Sequence, residues 1–157
     1  MPTIKVNDVD IYYEDSAPNN TQKPVIVFAH GLLWSSQMYD KQVEYFQTDY
    51  RCIAFDFRGQ GQSQITKSGY DMETLTEDTL GLLDALGIDK CHFVGLSMGG
   101  FVAQRIALGS YPGVWVGAGR YCGLGAYRWN FGDCPAQHGH LWQVVCRVDR
   151  NAGHGLH

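Results

Sequence analysis

The chain has 157 residues, 45% of them hydrophobic and 18% charged, with a formal net charge of −4. That is enough for one domain with a real core, and the absence of a basic stripe excludes nucleic acid and an anionic membrane as obvious partners. The opening MPTIKVNDVD has no basic-then-apolar order and no apolar run reaches spanning length, so a cytoplasmic protein is expected. Thr3 to Asn7 and Asp10 to Glu14 alternate as the arms of a hairpin, with Asn7-Asp8 at its turn. Pro24 opens the apolar run Val25-Ile26-Val27-Phe28-Ala29, which suits a strand buried on both faces. Ser36 to Tyr45 is weakly amphipathic and predicts a helix, and Cys52-Ile53-Ala54-Phe55 a second buried strand. Asp71 to Leu86 predicts a strong helix, because Leu75, Thr79, Leu82, Leu83 and Leu86 share one face and Gly87 closes its end. His92-Phe93-Val94 is a third buried strand, followed by a helix from about Met98 to Leu108. This alternation of strand and helix implies right-handed crossovers and a parallel sheet, an α/β architecture.

The character of the chain changes near Gly109. All the lysines and glutamates precede it, no Ile, Met or Thr comes after it, and more than half of the 19 glycines lie from Gly109 onward. The division therefore falls between 1–108, a folded α/β unit, and 109–157, a Gly-, Trp-, His- and Arg-rich tail in which Gly interrupts nearly every element. The tail is expected to be irregular, with Val114-Trp115-Val116 and Leu141 to Val148 as its only strand-like runs. An odd count of five cysteines argues against a disulfide framework, and Cys52 and Cys91 read as reduced core residues. Cys122, Cys134 and Cys146 recur with His138 and His140 among them, but without the close-paired ligands of a zinc site, so no metal is expected.

Chemistry concentrates at three turns. Gly95-Leu96-Ser97-Met98-Gly99 stands between a strand and a helix, the context in which G-x-S-x-G forms a nucleophile elbow. The serine must sit on a strained bend whose neighbours two residues away tolerate no Cβ, and the following helix N-terminus favours developing negative charge. His30-Gly31-Leu32-Leu33 follows the first buried strand, where a backbone N–H can reach the elbow. The amides of Leu32 and Met98 are therefore the expected oxyanion hole, and His30 a structural hydrogen-bonding residue. Asp56-Phe57-Arg58-Gly59-Gln60-Gly61-Gln62-Ser63 follows the second strand, and its carboxylate and guanidinium are expected to lock a tight loop. Asp56 as a triad acid is disfavoured by its distance from the base position.

The HG pair at His30-Gly31, the D-x-R-G-x-G-x-S stretch at Asp56 to Ser63 and GLSMGG at Gly95 to Gly100 come in a specific order and spacing. On them, Met1 to about Leu108 resembles the N-terminal half of the α/β-hydrolase superfamily, in its esterase, lactonase and perhydrolase-like branch. The resemblance implies a partial α/β-hydrolase fold: a mostly parallel sheet with an N-terminal antiparallel hairpin, truncated after the elbow helix. It implies no cofactor, and acyl-enzyme chemistry on small-molecule esters or lactones, with Ser97 as nucleophile and Leu32 and Met98 as the hole. Perhydrolysis or cofactor-free haloperoxidation is the runner-up chemistry.

The family places its triad acid and histidine on later strands, and the residues after Leu108 are too few for several βα units of about 30 residues each. Asn151-Ala152-Gly153-His154 resembles the turn that carries the family's histidine, with Asp133 or Asp149 as acid, but Gly-His pairs arise readily by chance in a His-rich tail. A shifted reading frame is the preferred account of the tail: Gly119 to Leu124 can be encoded so that the +1 frame reads Val-Val-Ile-Val-Asp-Ser. The expectation is an enzyme-derived chain lacking triad acid and base, with self-association through an exposed sheet edge. A non-catalytic interaction module and a minimal esterase using His154 are the alternatives.

Overall fold

Asn7 and Asp8 have φ of 46° and 64°, the left-handed pair that a two-residue type I′ turn demands. Their short polar side chains tolerate that conformation, and so β1 (Thr3–Val6) and β2 (Val9–Asp15) pair antiparallel with Val6 opposite Val9. The computed structural model describes residues 2–109, 115–118 and 143–149, with side chains over 2–106. The three apolar runs become β3 (Val25–Ala29), β4 (Arg51–Phe55) and β5 (Lys90–Leu96), and β3 lies parallel between the other two. β2 joins β4 antiparallel, which hangs the hairpin on the sheet.

Alternation along β3 divides the core between the two faces of the sheet. Val27 and Ala29 face one side with Phe93, Leu75, Leu82, Leu83, Val102 and Ile106, whereas Ile26 and Phe28 face the other with Tyr39 and Leu96. The first face is covered by α2 (Met72–Ala85) and α3 (Met98–Gly109). The second is covered by a 3₁₀ turn at Ser36–Tyr39 that runs into α1 (Asp40–Phe46). Helix α2 begins where expected, with the Asp71 carboxylate accepting the Thr74 N–H at 2.9 Å, and ends before Gly87 at φ 65°.

The strand order is β1-β2-β4-β3-β5-β7-β6, so among the described residues parallel pairing is confined to the three central strands. β7 (Gln143–Asp149) lies antiparallel along the whole of β5, and β6 (Trp115–Ala118) pairs with β7. The outer flank of β5, expected to be an apolar edge weakly patched by Val114-Trp115-Val116 and extended by Leu141 to Val148, is therefore occupied by β7. The segment that covers it is the later of the two strand-like runs, because β6 reaches the sheet only through β7. Cys122, Cys134, Asp133, His138, His140 and His154 lie outside the described residues.

The central order also places a site. The chain leaves β3 toward α1 on one face and leaves β5 toward α3 on the other, so the loops after these adjacent strands diverge. A crevice opens at such a switch point, at the carboxyl ends of the strands. The HG loop and the G-x-S-x-G turn are the two loops that flank it.

Candidate active site

Ser97 joins the end of β5 to the start of α3 with φ 49°. For an L-residue with a Cβ the left-handed region costs about 1–2 kcal/mol, so the surrounding structure must hold the bend. It does so by close approach of backbone to backbone. A Cβ at Gly95 would run into the Gly99 carbonyl, and one at Gly99 into the carbonyls of Ala29 and His30. The Gly99 N–H in fact donates to the His30 carbonyl at 3.2 Å. That bond ties the first turn of α3 directly to the end of β3. Ser97 itself is exposed.

The loop after β3 closes on itself. Trp34 N–H donates to Gly31 O at 3.2 Å and closes a turn over Leu32 and Leu33, with Leu33 at φ 63°. Leu32 lies two residues beyond the carbonyl that holds Gly99, and Met98 one residue before Gly99. Met98 is the first residue of α3, so its amide is among the four that lack an intrahelical acceptor. An anion at this corner would meet amide hydrogens and the positive end of the helix. A cavity of about 480 Å³ lined by Leu33, Trp34, Ser35, Gln37, Met38 and Gly61 opens beside the loop.

The nearby histidine is fully committed. His30 is completely buried; its Nδ1 donates to Gly31 O at 2.7 Å and its Nε2 accepts the Phe57 N–H at 3.1 Å. Both nitrogens are used by the neutral ring, and burial pushes the imidazole below its ordinary 6.5, against smaller upward effects of the Gly31 carbonyl and the Asp56 carboxylate. Asp56 is equally enclosed: Oδ1 accepts Ser36 N–H at 2.6 Å and Oδ2 accepts Gln62 N–H at 2.8 Å, while Ser63 Oγ donates to its backbone carbonyl at 2.6 Å. Cys52, on β4, is a buried thiol pushed up to about 11 by desolvation, the inert core residue expected from the sequence.

Two features of the loop after β4 went unread in the sequence. Arg58 does not pair with Asp56. Its guanidinium forks onto Asp78 of α2, Nε to Oδ2 at 2.5 Å and Nη2 to Oδ1 at 2.7 Å, and Asn7 Nδ2 adds a bond to Oδ1 at 3.2 Å. The signal was present: Asp78 falls between Leu75 and Leu82 on the buried face of α2, and a carboxylate there needs a buried cation. The second is Gln60. Its Oε1 accepts the Leu33 N–H at 2.6 Å and its Nε2 lies 3.9 Å from Met98 Sδ.

Of the candidate triad acids and bases, Asp133 and His154 lie outside the described residues, and Asp149 is not brought to Ser97. Asp149 pairs with Lys90 at the opposite end of β5 from Leu96, which at about 3.3 Å per residue is roughly 20 Å from the elbow. His92 lies midway along β5, opposite Ile26 and Arg147, and its ring meets Tyr50.

Residues 24–110 match the family model of the alpha/beta hydrolase fold. 3-Oxoadipate enol-lactonase 1 of Acinetobacter baylyi is 41% identical over 93 residues, covering 59% of this chain and 34% of the relative. Non-heme chloroperoxidase of Burkholderia pyrrocinia is 36% identical over 115 residues, 71% of this chain and 41% of the relative. Among solved structures, the enol-lactonase from Burkholderia xenovorans superposes with a TM-score of 0.64 at 35% identity, covering 68% of this chain and 41% of that one. The chain thus spans well under half the length of the relatives it matches. With its elbow and HG loop following adjacent parallel strands at a switch point, it belongs to the alpha/beta hydrolase fold family, of which it carries the N-terminal part.

Proposed function

We propose that this chain presents the nucleophile and oxyanion side of a serine hydrolase for small esters or lactones, with no activating base against Ser97 among the described residues. Ser97 is the attacking residue, and the Leu32 and Met98 amides receive the carbonyl oxygen as it gains charge. The observation that carries this reading is Ser97 held exposed at φ 49° between a strand and a helix. A surface serine has no reason to sit in strained backbone unless its hydroxyl must project from a bend. The ester or lactone class comes from relatives whose names state enol-lactonase activity. The chloroperoxidase relative keeps perhydrolysis-type chemistry on the same serine as the second reading.

An unassisted serine hydroxyl is a poor nucleophile at neutral pH. Donors and binding alone nevertheless leave about 10³–10⁴-fold catalysis over water when triad members are removed. Slow, stoichiometric acylation of Ser97 is therefore expected from p-nitrophenyl acetate, read by intact mass, and added imidazole should accelerate it by supplying the base. Ser97→Ala should abolish the adduct and His154→Ala should leave it unchanged. Sustained turnover lost in both variants would instead establish a working esterase that uses His154. No adduct in the wild-type chain, with or without imidazole, would sink the proposal.

Self-association remains part of the proposal but moves to a different edge. With β7 covering β5, the outermost strand on that side among the described residues is β6, four residues long. A short edge strand recruits partners poorly, so association through β6 is expected to be weak, and a concentration-independent monomer in sedimentation would remove that part.

A further inference from the structure

We propose that Gln60 is a positioning residue for the donor side of the site, a role that rests on the assignment of Ser97, Leu32 and Met98 to nucleophile and oxyanion hole. Leu33 occupies a left-handed conformation that glycine would take freely and leucine does not, so the turn from Gly31 to Trp34 needs an outside hold. The Gln60 carboxamide oxygen supplies it through the short bond to Leu33 N–H, while the carboxamide nitrogen rests against the sulfur of Met98. One side chain thus touches both segments that carry the oxyanion amides.

Gln60 is itself anchored so that it can serve as a strut. Its N–H donates to Phe57 O at 3.0 Å and its carbonyl accepts Ser63 N–H at 3.1 Å. Gly59 and Gly61 on either side have φ of 71° and 53°, which folds the loop tightly enough for Asp56 to fasten it through Gln62. The rigidity of the Asp56 loop is transmitted by Gln60 to a turn that has little packing of its own: Leu32, Leu33 and Trp34 are 61%, 85% and 55% exposed. Donor placement within a fraction of an ångström is what gives an oxyanion hole its effect. A solvent-exposed amide bond at this point therefore acts on chemistry more than on stability.

The test compares the full chain with Gln60→Met, which fills the same space without an acceptor, and Gln60→Glu, which keeps one. Two readouts are taken: hydrogen exchange of the Leu33 amide, and the rate of Ser97 acylation by p-nitrophenyl acetate with imidazole. In Gln60→Met, Leu33 exchange should quicken and acylation should slow, each by about tenfold, at an unchanged unfolding midpoint. In Gln60→Glu, Leu33 should stay protected. Unchanged Leu33 exchange in Gln60→Met overturns the proposal, as does faster exchange with undiminished acylation, since the bond would then be structural only. An equal loss of folding stability in Gln60→Met would overturn it for the same reason. A wild-type chain that forms no Ser97 adduct overturns the parent reading as well, and the two failures are told apart because that one appears before any Gln60 variant is made.

Discussion

The elbow at Gly95–Gly99 and the loop at Asp56–Ser63 stand at the carboxyl ends of parallel strands, and both turn through left-handed backbone. They are held by opposite means. In the loop, a carboxylate accepts two amides, a hydroxyl bonds the backbone and a guanidinium forks onto a helix. In the elbow, the hold comes from side chains that are missing, because glycines let carbonyls and amides meet directly. The loop commits its polar groups to structure, whereas the elbow leaves the hydroxyl of Ser97 exposed. Backbone-on-backbone packing thus positions a hydroxyl without using it up.

If this contrast is right, the loop should fail when a side chain is removed and the elbow when one is added. The largest expected effect is Asp78→Ala, which strands a guanidinium only 9% exposed; about 4 kcal/mol of unfolding free energy should be lost in a urea titration. A loss under about 1 kcal/mol would mean that Arg58 finds water or another acceptor. Gly99→Ala comes next, at about 3 kcal/mol, since the new methyl meets two rigid carbonyls. A tolerated alanine there would end the account of the elbow as a backbone contact.

The third expectation separates the regions by pH. Burial keeps His30 below its ordinary 6.5, so the unfolded chain takes up a proton first as pH falls. The stability from the neutral ring is complete above about 6.5 and is lost as pH drops from there toward the folded value, with a slope of at most about 1.4 kcal/mol per pH unit. Urea midpoints across that window should fall in the wild-type chain and flatten in His30→Gln; parallel profiles would show that His30 is not held neutral by the fold. The smallest effect is Ser97→Gly, where relief of about 1–2 kcal/mol of left-handed strain is offset by about 0.5–1 kcal/mol of glycine entropy. The variant should gain about 0.5 kcal/mol of stability while losing its acyl adduct, and clear destabilisation would show that Ser97 contributes packing as well as a hydroxyl.

Much of this was legible without coordinates because it is local. The Asn7-Asp8 turn, the cap at Asp71, the stop at Gly87 and the three apolar strands are each written in a few adjacent residues whose backbone preferences agree with the final fold. The G-x-S-x-G bend was readable for the same reason, since its glycine spacing encodes a steric demand. The Arg58–Asp78 fork and the Gln60–Leu33 bond were not readable, because they join residues 20 and 27 positions apart through loops whose course no single segment fixes. Nor could periodicity choose which later run would cover β5, since Trp115–Ala118 and Gln143–Asp149 are both strand-like and only sheet order distinguishes them.

By itself, then, the sequence determined the kinds of element, the serine's bend and the family to which the motifs belong. The tertiary structure alone decided which polar groups are used up: His30 and Asp56 are bound on both sides, Asp149 is carried to the far end of its strand, and Ser97 is left open to solvent. The physical reason is that hydrogen-bonding capacity is a property of residue type, whereas its satisfaction depends on neighbours that only the folded chain brings within reach.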